Sequence, residues 1–235
     1  MNHEDSFPTS QRSPLKSAIH ELRSLYPTSS GAGAFGWKEQ SAREQRRLAT
    51  WASDAGLLVS RRLAEWNTLC KTSDVGGEEH HVFSLTDSGL VQKVTRSGLF
   101  GLWIELIGDQ IKQRPVTPLE YLTRLDLANS IWHDDIRLVK VIREAPKIHL
   151  VTTQPTICGS TPSEEEIASC LHSFDFASVP GTRGWYRKSD DLLALDAHSG
   201  NFVKTAGGVV IPIDLPMGYL GADLAAKIES ALNKP

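Results

Sequence analysis

The sequence predicts an α+β fold, because strand-like and helix-like segments alternate through its central part. Residues 80–85 and 90–95 have the pattern of two β-strands, and a turn at Asp87-Ser-Gly89 separates them. Residues 136–142 and 147–153 repeat this arrangement. Between the two strand pairs lies a segment with the signals of a helix. We therefore expect antiparallel strands with helices packed against them.

The N-terminal part of the chain is predicted to be helical. Residues 1–40 are rich in Ser, Gly and Pro and are interpreted as a flexible tail that carries one short helix. The apolar residues of that helix recur at helical spacing, which favours docking on the main body: Leu15, Ile19 and Leu22. Residues 41–74 are expected to form a helical extension, with helices at 41–54 and 61–69.

Two glycines and a lysine in the first strand pair form a candidate phosphate site. Gly76 and Gly77 precede the strand at 80–85, and residues without a Cβ let backbone N–H groups approach phosphate oxygens. Lys93 is central in the strand at 90–95, where a lysine is either a phosphate ligand or an exposed charge. We favour phosphate binding.

Two helices are predicted from capping boxes. Thr117 is followed by a proline and then by Glu120, which predicts a helix that begins at 118 and runs to about 132. Ser163 and Glu166 repeat the pattern and predict a second helix. The glutamates at 164–166 complement the dipole of that helix and do not form a catalytic cluster.

The most specific pattern lies near the C-terminal end. Two short strands are joined through Gly207-Gly208, and with a two-residue turn Asn201 faces Asp214. Opposed residues in an antiparallel pair lie about 5 Å apart, so an amide oxygen and a carboxylate converge, as a hard divalent cation requires. Asp196 lies five residues before Asn201 and brings a second carboxylate to the same end. An ordinary surface hairpin is the alternative.

The string Asp196-Ala-His198-Ser-Gly-Asn201, followed by Ile-Asp214, resembles the catalytic and metal-binding loops of aminoglycoside and choline phosphotransferases. A resemblance to the kinase-like domain of polyvalent proteins from phages and mobile elements extends over about residues 45 to 215. The segments that carry it, besides the two loops, are 51–58, 76–83, 91–95, 117–122, 154–155 and 163–167.

The resemblance implies a compact bilobal protein-kinase-like fold over residues 75–235, with an N-lobe at about 75–153 and a reduced C-lobe at about 154–235. It implies ATP and magnesium as cofactors and phosphoryl transfer as the activity. The residues that it assigns are Asp196 as the base with support from His198, Asn201 and Asp214 as metal ligands, and Gly76, Gly77, Lys93, Glu120 and Gln154 around the nucleotide. Glu120 is expected to pair with Lys93, with Glu105 as the alternative, and Gln154 opens a hinge between the lobes.

The sequence also departs from the family pattern. Ala194-Leu195 precedes Asp196 where a His-Arg or His-Gly pair is usual, and only 21 residues follow Asp214, too few for the platform that binds peptide substrates. A non-catalytic nucleotide-binding or interaction module of a mobile element is therefore a second hypothesis, and nucleotidyl transfer a third. The acceptor is not defined by any motif.

Composition limits the partners. The formal net charge of −3 does not favour nucleic acid as a partner. Three cysteines without metal-site spacing are expected to be reduced thiols. No apolar run approaches the length of about 20 residues that a membrane span needs, and the N-terminus lacks a secretory signal. A cytoplasmic location is the resulting expectation.

Overall fold

The computed structural model describes residues 13–26, 36–60, 75–76, 79–85 and 88–233. They form a mixed α and β structure. The described helices are α1 (Pro14–Arg23), α2 (Trp37–Asp54), α3 (Pro118–Ile131), α4 (Glu164–Ser173) and α5 (Ala222–Leu232). None of them combines the length and the apolar composition of a membrane-spanning helix. The helix predicted at 61–69 and Gly77 lie outside the described residues.

A six-stranded sheet forms the first half of the molecule, with strand order β1-β7-β8-β4-β3-β2. Its strands are β1 (Leu58–Ser60), β2 (Val75–Gly76), β3 (His80–Leu85), β4 (Leu90–Thr95), β7 (Arg137–Glu144) and β8 (Lys147–Pro155). The two predicted strand pairs are confirmed, and β4 pairs with β8 to join them. Four of the six strands belong to the predicted pairs; β2 is added at one edge next to β3, and β1 is a parallel edge strand on β7.

Helices α1, α2 and α3 cover one face of this sheet. The apolar stripe predicted for α1 is buried: Leu15, Ile19 and Leu22 are each at most 4% exposed and pack in one core with α2, α3 and the sheet. Docking of α1 on the main body is thereby confirmed. Helix α2 begins at Trp37, four residues before the expected start at 41, so it extends into the predicted tail.

Helix α3 follows its predicted cap closely. Thr117 accepts from the backbone N–H of Glu120, and the Glu120 carboxylate accepts from the backbone N–H of Thr117. A hairpin that the sequence did not predict precedes this helix, formed by β5 (Leu102–Ile107) and β6 (Gln110–Pro115). Its strands lack a continuous buried face, and the turn at Gly108 requires a positive φ of 57°. That weak alternation explains why the pattern was missed.

The second half is built from small sheets and two helices. The sheet β14-β11-β10-β9 contains β9 (Ala177–Ser178), β10 (Trp185–Arg187), β11 (Leu192–Ala194) and β14 (Met217–Tyr219). A separate hairpin contains β12 (Phe202–Lys204) and β13 (Val210–Pro212). These elements share a core with α4 and with the C-terminal end of α3, through Leu127, Ala128 and Trp132. Helix α4 begins at the predicted Ser163 capping box.

Candidate active site

The hairpin β12–β13 has a register one residue different from the predicted one. Phe202 pairs with Pro212 and Lys204 with Val210. The connection is therefore a three-residue loop, 206–208, in which Gly208 takes a φ of +81°, as in a type I turn followed by a left-handed residue. Asn201 faces Ile213 and not Asp214: the Ile213 N–H donates to the Asn201 carbonyl oxygen at 2.9 Å.

The loop that leads into this hairpin holds Asp196 in an unusual backbone conformation. Its φ is +56°, a left-handed value that Asp tolerates better than most residues. The Asn201 side-chain amide donates to the Asp196 backbone oxygen at 2.9 Å, and His198 Nε2 lies 3.4 Å from Asp196 Oδ2. His198 Nδ1 also accepts from the Gly200 N–H at 3.1 Å. The four residues form one bonded loop with an exposed carboxylate.

Lys93 reaches from the sheet to the end of the hairpin. Its Nζ lies 3.3 Å from Asp214 Oδ2 and donates to the Ile213 backbone oxygen at 3.2 Å. The lysine side chain is 14% exposed, whereas the Asp214 side chain is 54% exposed. The Asp214 carboxylate is therefore accessible to solvent, and the largely buried Lys93 ammonium group balances its charge.

Glu120 is not the partner of Lys93. Its carboxylate receives hydrogen bonds from the Arg114 guanidinium and from the Thr117 N–H. These hydrogen bonds outweigh the effect of burial and lower the pKa of Glu120. The alternative residue, Glu105, also lies beside Arg114, at 3.4 Å. The unpredicted hairpin β5–β6 supplies Arg114, which is why sequence reasoning assigned both glutamates wrongly.

A buried polar group around Glu79 was missed by the sequence analysis. Arg124, on α3, lies with Nη1 3.6 Å from Glu79 Oε1 and donates from Nη2 to the Leu102 backbone oxygen at 3.0 Å. Next to Glu79, His80 Nε2 lies 2.9 Å from the Tyr121 hydroxyl. A charged residue on the buried side of α3, four positions after Glu120, was the available signal for Arg124.

Burial shifts the ionisation of this group. Desolvation raises the pKa of Glu79, which Arg124 and Lys93 oppose and Asp214 reinforces. Desolvation also lowers the pKa of His80 to about 4, so the imidazole is neutral at physiological pH. Asp134, in the loop after α3, has a pKa raised to about 7 by burial, with Lys93 opposing and Asp214 adding to the shift. Within the described part of the chain, its Oδ1 has no hydrogen-bond partner.

Two predicted nucleotide residues lie in the sheet. Gly76 is the last residue of β2 and pairs with His81. Gln154 belongs to β8, where it pairs with Val91, and its side chain is 7% exposed. Strand β8 continues to Pro155, so the connection between the two halves begins two residues after Gln154, where the hinge was predicted to start. The segment 156–159 makes this connection, and Ser160 pairs with Lys204 of β12.

A cleft of about 1830 Å³ brings the polar residues of the two halves together. Its walls at this end include Glu79, which immediately precedes β3, and Asp196, His198, Asn201 and Asp214 from the second half. Most of the predicted catalytic and metal-binding residues thus share one solvent-accessible space. Lys93, Glu120 and Gln154 are not among its walls, and Lys93 meets the cleft through its contact with Asp214.

The residues present suit a magnesium ion that is held mainly by its substrate. Among the described residues, no group of three or more His, Cys, Asp and Glu side chains is arranged to hold a metal. Magnesium commonly takes one or two protein ligands and completes its shell with water and phosphate oxygens. Asp214 offers an exposed carboxylate, and the hydrogen bond from the Asn201 amide nitrogen to Asp196 leaves the Asn201 amide oxygen as the atom for a cation.

Comparison of the chain with protein-family models, with characterised proteins and with solved structures finds no match. Function is therefore inferred from the arrangement of side chains.

Proposed function

We propose that this protein is an ATP- and magnesium-dependent phosphotransferase with a bilobal protein-kinase-like fold. The observation that carries the proposal is the contact of Lys93 with Asp214 at a cleft that also contains Asp196 and Asn201. Kinase-like sites need a strand lysine for the phosphates, an Asp and an Asn for the metal and a further Asp for the acceptor hydroxyl. These four residues supply that set.

The position of Lys93 in the sheet supports the nucleotide assignment. Strands β2, β3 and β4 form an antiparallel meander, Gly76 ends the first of them, and Lys93 lies in the third. Protein kinases likewise carry a glycine-rich loop near the phosphates and the lysine on their third strand. In this arrangement the Lys93 ammonium group binds phosphate oxygens and balances their charge.

The loop at 196–201 supports the assignment of the base. Backbone strain at a functional residue persists only when its surroundings hold it, and His198 and Asn201 hold Asp196 on both sides. The exposed carboxylate accepts or orients the proton of an acceptor hydroxyl. Magnesium, when bound at Asn201 and Asp214, neutralises charge that develops on the phosphates.

The direct test is calorimetric titration of ATP, with and without magnesium, into the wild-type protein and Asp214→Asn. Binding that requires magnesium and is lost in the variant supports the proposal. Asp223→Asn is the matched control, because this exposed carboxylate lies on α5, away from the cleft. Absence of ATP binding to folded wild-type protein would contradict the proposal.

A nucleotide-binding module without transfer activity is the second candidate. The observation that favours it is the absence of a Lys93–Glu120 pair, since Glu120 is bonded to Arg114. Asp196→Asn separates the two functions. In a phosphotransferase this change abolishes transfer to water or an added acceptor and leaves ATP binding intact, whereas a binding module shows no transfer in either form.

A further inference from the structure

We propose that Glu79 is a positioning residue: it becomes the ion-pair partner of the Lys93 ammonium group when Asp214 coordinates a cation. This inference rests on the proposed function in one respect: Asp214 is taken to be the cation ligand. Glu79 precedes β3, whereas the sequence pattern placed the acidic partner of the lysine on helix α3. Among the described residues that line the cleft, Glu79 is the acidic residue next to the sheet.

Lys93 needs a second partner once Asp214 is occupied. A carboxylate that coordinates a divalent cation has less charge to share with an ammonium group, and a largely buried lysine without a counter-charge is costly. In the present arrangement Lys93 depends on Asp214 and on the Ile213 backbone oxygen. Engagement of Asp214 leaves a neutral carbonyl oxygen and an ammonium group that is 14% exposed.

Glu79 is positioned to respond to this change. It lines the same cleft as Asp214, and the charges of Lys93 and Asp214 shift the pKa of Glu79 in opposite directions, Lys93 lowering it and Asp214 raising it. The contact of Glu79 with the Arg124 guanidinium is long, at 3.6 Å, and the neutral His80 imidazole lies 3.9 Å away. Separations of this size lie outside hydrogen-bonding range, so the carboxylate oxygens can accept a closer donor.

The surroundings hold the Glu79 carboxylate in place. Gly101 has a φ of +88°, and a Cβ at this position would lie 2.4 Å from Glu79 Oε2. The glycine therefore admits the carboxylate against the backbone at the start of β5. Arg124 is fixed on the other side by its bond to the Leu102 oxygen. Arg124 opposes the rise that burial causes in the pKa of Glu79 and so favours its ionised form, in which Glu79 is the second acid available to Lys93.

Asp134 is the other acid that feels both Lys93 and Asp214. It does not line the cleft, and its buried Oδ1 has no partner among the described residues. A carboxyl that is protonated near neutral pH is a poor counter-charge for an ammonium group. Asp134→Asn is consequently the matched control for Glu79→Gln.

The first experiment needs no nucleotide. Urea unfolding is measured for Glu79→Gln in the wild-type and Asp214→Asn backgrounds. The control is the same double-mutant cycle with Asp134→Asn in place of Glu79→Gln. Asp214→Asn removes the present partner of Lys93, so Glu79→Gln should lower the folding equilibrium constant about tenfold more in that background, a coupling typical of residues in contact. The proposal is overturned if Glu79→Gln changes the folding equilibrium constant equally in both backgrounds, or if Asp134→Asn and not Glu79→Gln shows the coupling to Asp214→Asn. Glu79→Asp keeps the charge and shortens the reach, and it serves if Glu79→Gln does not fold.

The second experiment measures magnesium-dependent ATP binding. Glu79→Gln should weaken binding about tenfold when Lys93 is present and should have no further effect in Lys93→Met, because a positioning residue acts only through the group that it positions. Additive losses would indicate a general structural role and reject the inference. If Glu79→Gln and Asp214→Asn are coupled in the first experiment but the wild-type protein does not bind ATP, the proposed function is rejected and the role of Glu79 as second partner of Lys93 is retained.

Discussion

Lys93 Nζ lies 3.3 Å from Asp214 Oδ2, which joins the third strand of the meander to the residue that follows the β12–β13 hairpin. One member of the pair is largely buried and the other is half exposed. Water screens such a pair, and it contributes at most about 1 kcal/mol to folding. The main effect of this ion pair is therefore to align the Lys93 ammonium group with the Asp214 carboxylate at the cleft.

Replacement of Lys93 by Met should separate binding from stability. We expect the magnesium-dependent affinity for ATP to fall at least about tenfold, because a charge-assisted contact to phosphate is lost. The free energy of unfolding should change by less than about 1 kcal/mol, since the partner Asp214 is half exposed. Calorimetry and urea unfolding measure the two quantities. Lys140→Met, on the exposed side of β7, is the control; an equal loss of affinity in that variant would contradict the assignment.

Gly159 is required by the close approach of two backbones. A Cβ at this position would lie 2.1 Å from the Lys204 carbonyl oxygen, where Ser160 and Lys204 exchange hydrogen bonds. Gly159→Ala should therefore force the connecting segment away from β12 and lower the free energy of unfolding by about 2 kcal/mol. Gly36→Ala is the control, because no atom lies within 4 Å of its Cβ position. Equal stability of the two variants in urea would show that the approach is looser than described.

The three-residue turn of the second hairpin can be tested by alanine substitution of its two glycines. Gly208 has a φ of +81°, whereas Gly207 lies outside the left-handed region. Gly208→Ala should cost about 1 kcal/mol in unfolding free energy, because a residue with a Cβ is strained at a positive φ. Gly207→Ala should cost less. The two-residue turn predicted from the sequence would make the two substitutions similarly harmful, so the difference in their unfolding midpoints distinguishes the registers.

His80 and Asp134 should influence the pH dependence of stability with opposite signs. The folded protein keeps His80 neutral down to about pH 4, whereas the unfolded chain protonates it near 6.5, so this group makes stability fall as the pH drops through that window. The folded protein keeps Asp134 protonated up to about pH 7, whereas the unfolded carboxyl loses its proton near 3.8. Asp134 therefore makes stability fall as the pH rises.

Single substitutions should reveal the two contributions. Each group has a limiting slope of about 1.4 kcal/mol per pH unit, so they offset each other in the wild-type protein. Compared with wild type, Asp134→Asn should make stability rise more steeply from about pH 4.5 to about pH 6, and His80→Gln should make it rise less or fall. Urea unfolding at several pH values measures these slopes. A shift of both variants in the same direction would refute the opposed signs.

Much of the first half was predictable because its signals are local. The caps at Thr117 and Ser163, the apolar stripe of α1 and the strand–turn–strand pattern of β3 and β4 each depend on residues a few positions apart. The hairpin β5–β6 gave no such signal, since no continuous buried face marks its strands. The parallel edge strand β1 consists of three residues and is defined only by its pairing with β7.

The candidate site was predictable in composition but not in connectivity. The spacing of Asp196, Asn201 and Asp214 indicated which carboxylate and amide side chains reach the same end of the second hairpin, and the strand pattern indicated the position of Lys93. The tertiary structure alone decided that Asn201 faces Ile213, that Arg114 pairs with Glu120, and that Arg124 lies beside Glu79. The physical reason is the sequence separation of the interacting residues. Helix caps and strand or helix periodicity depend on residues within one or two turns of chain, whereas the partners of charged groups depend on the packing of segments that are distant in the sequence.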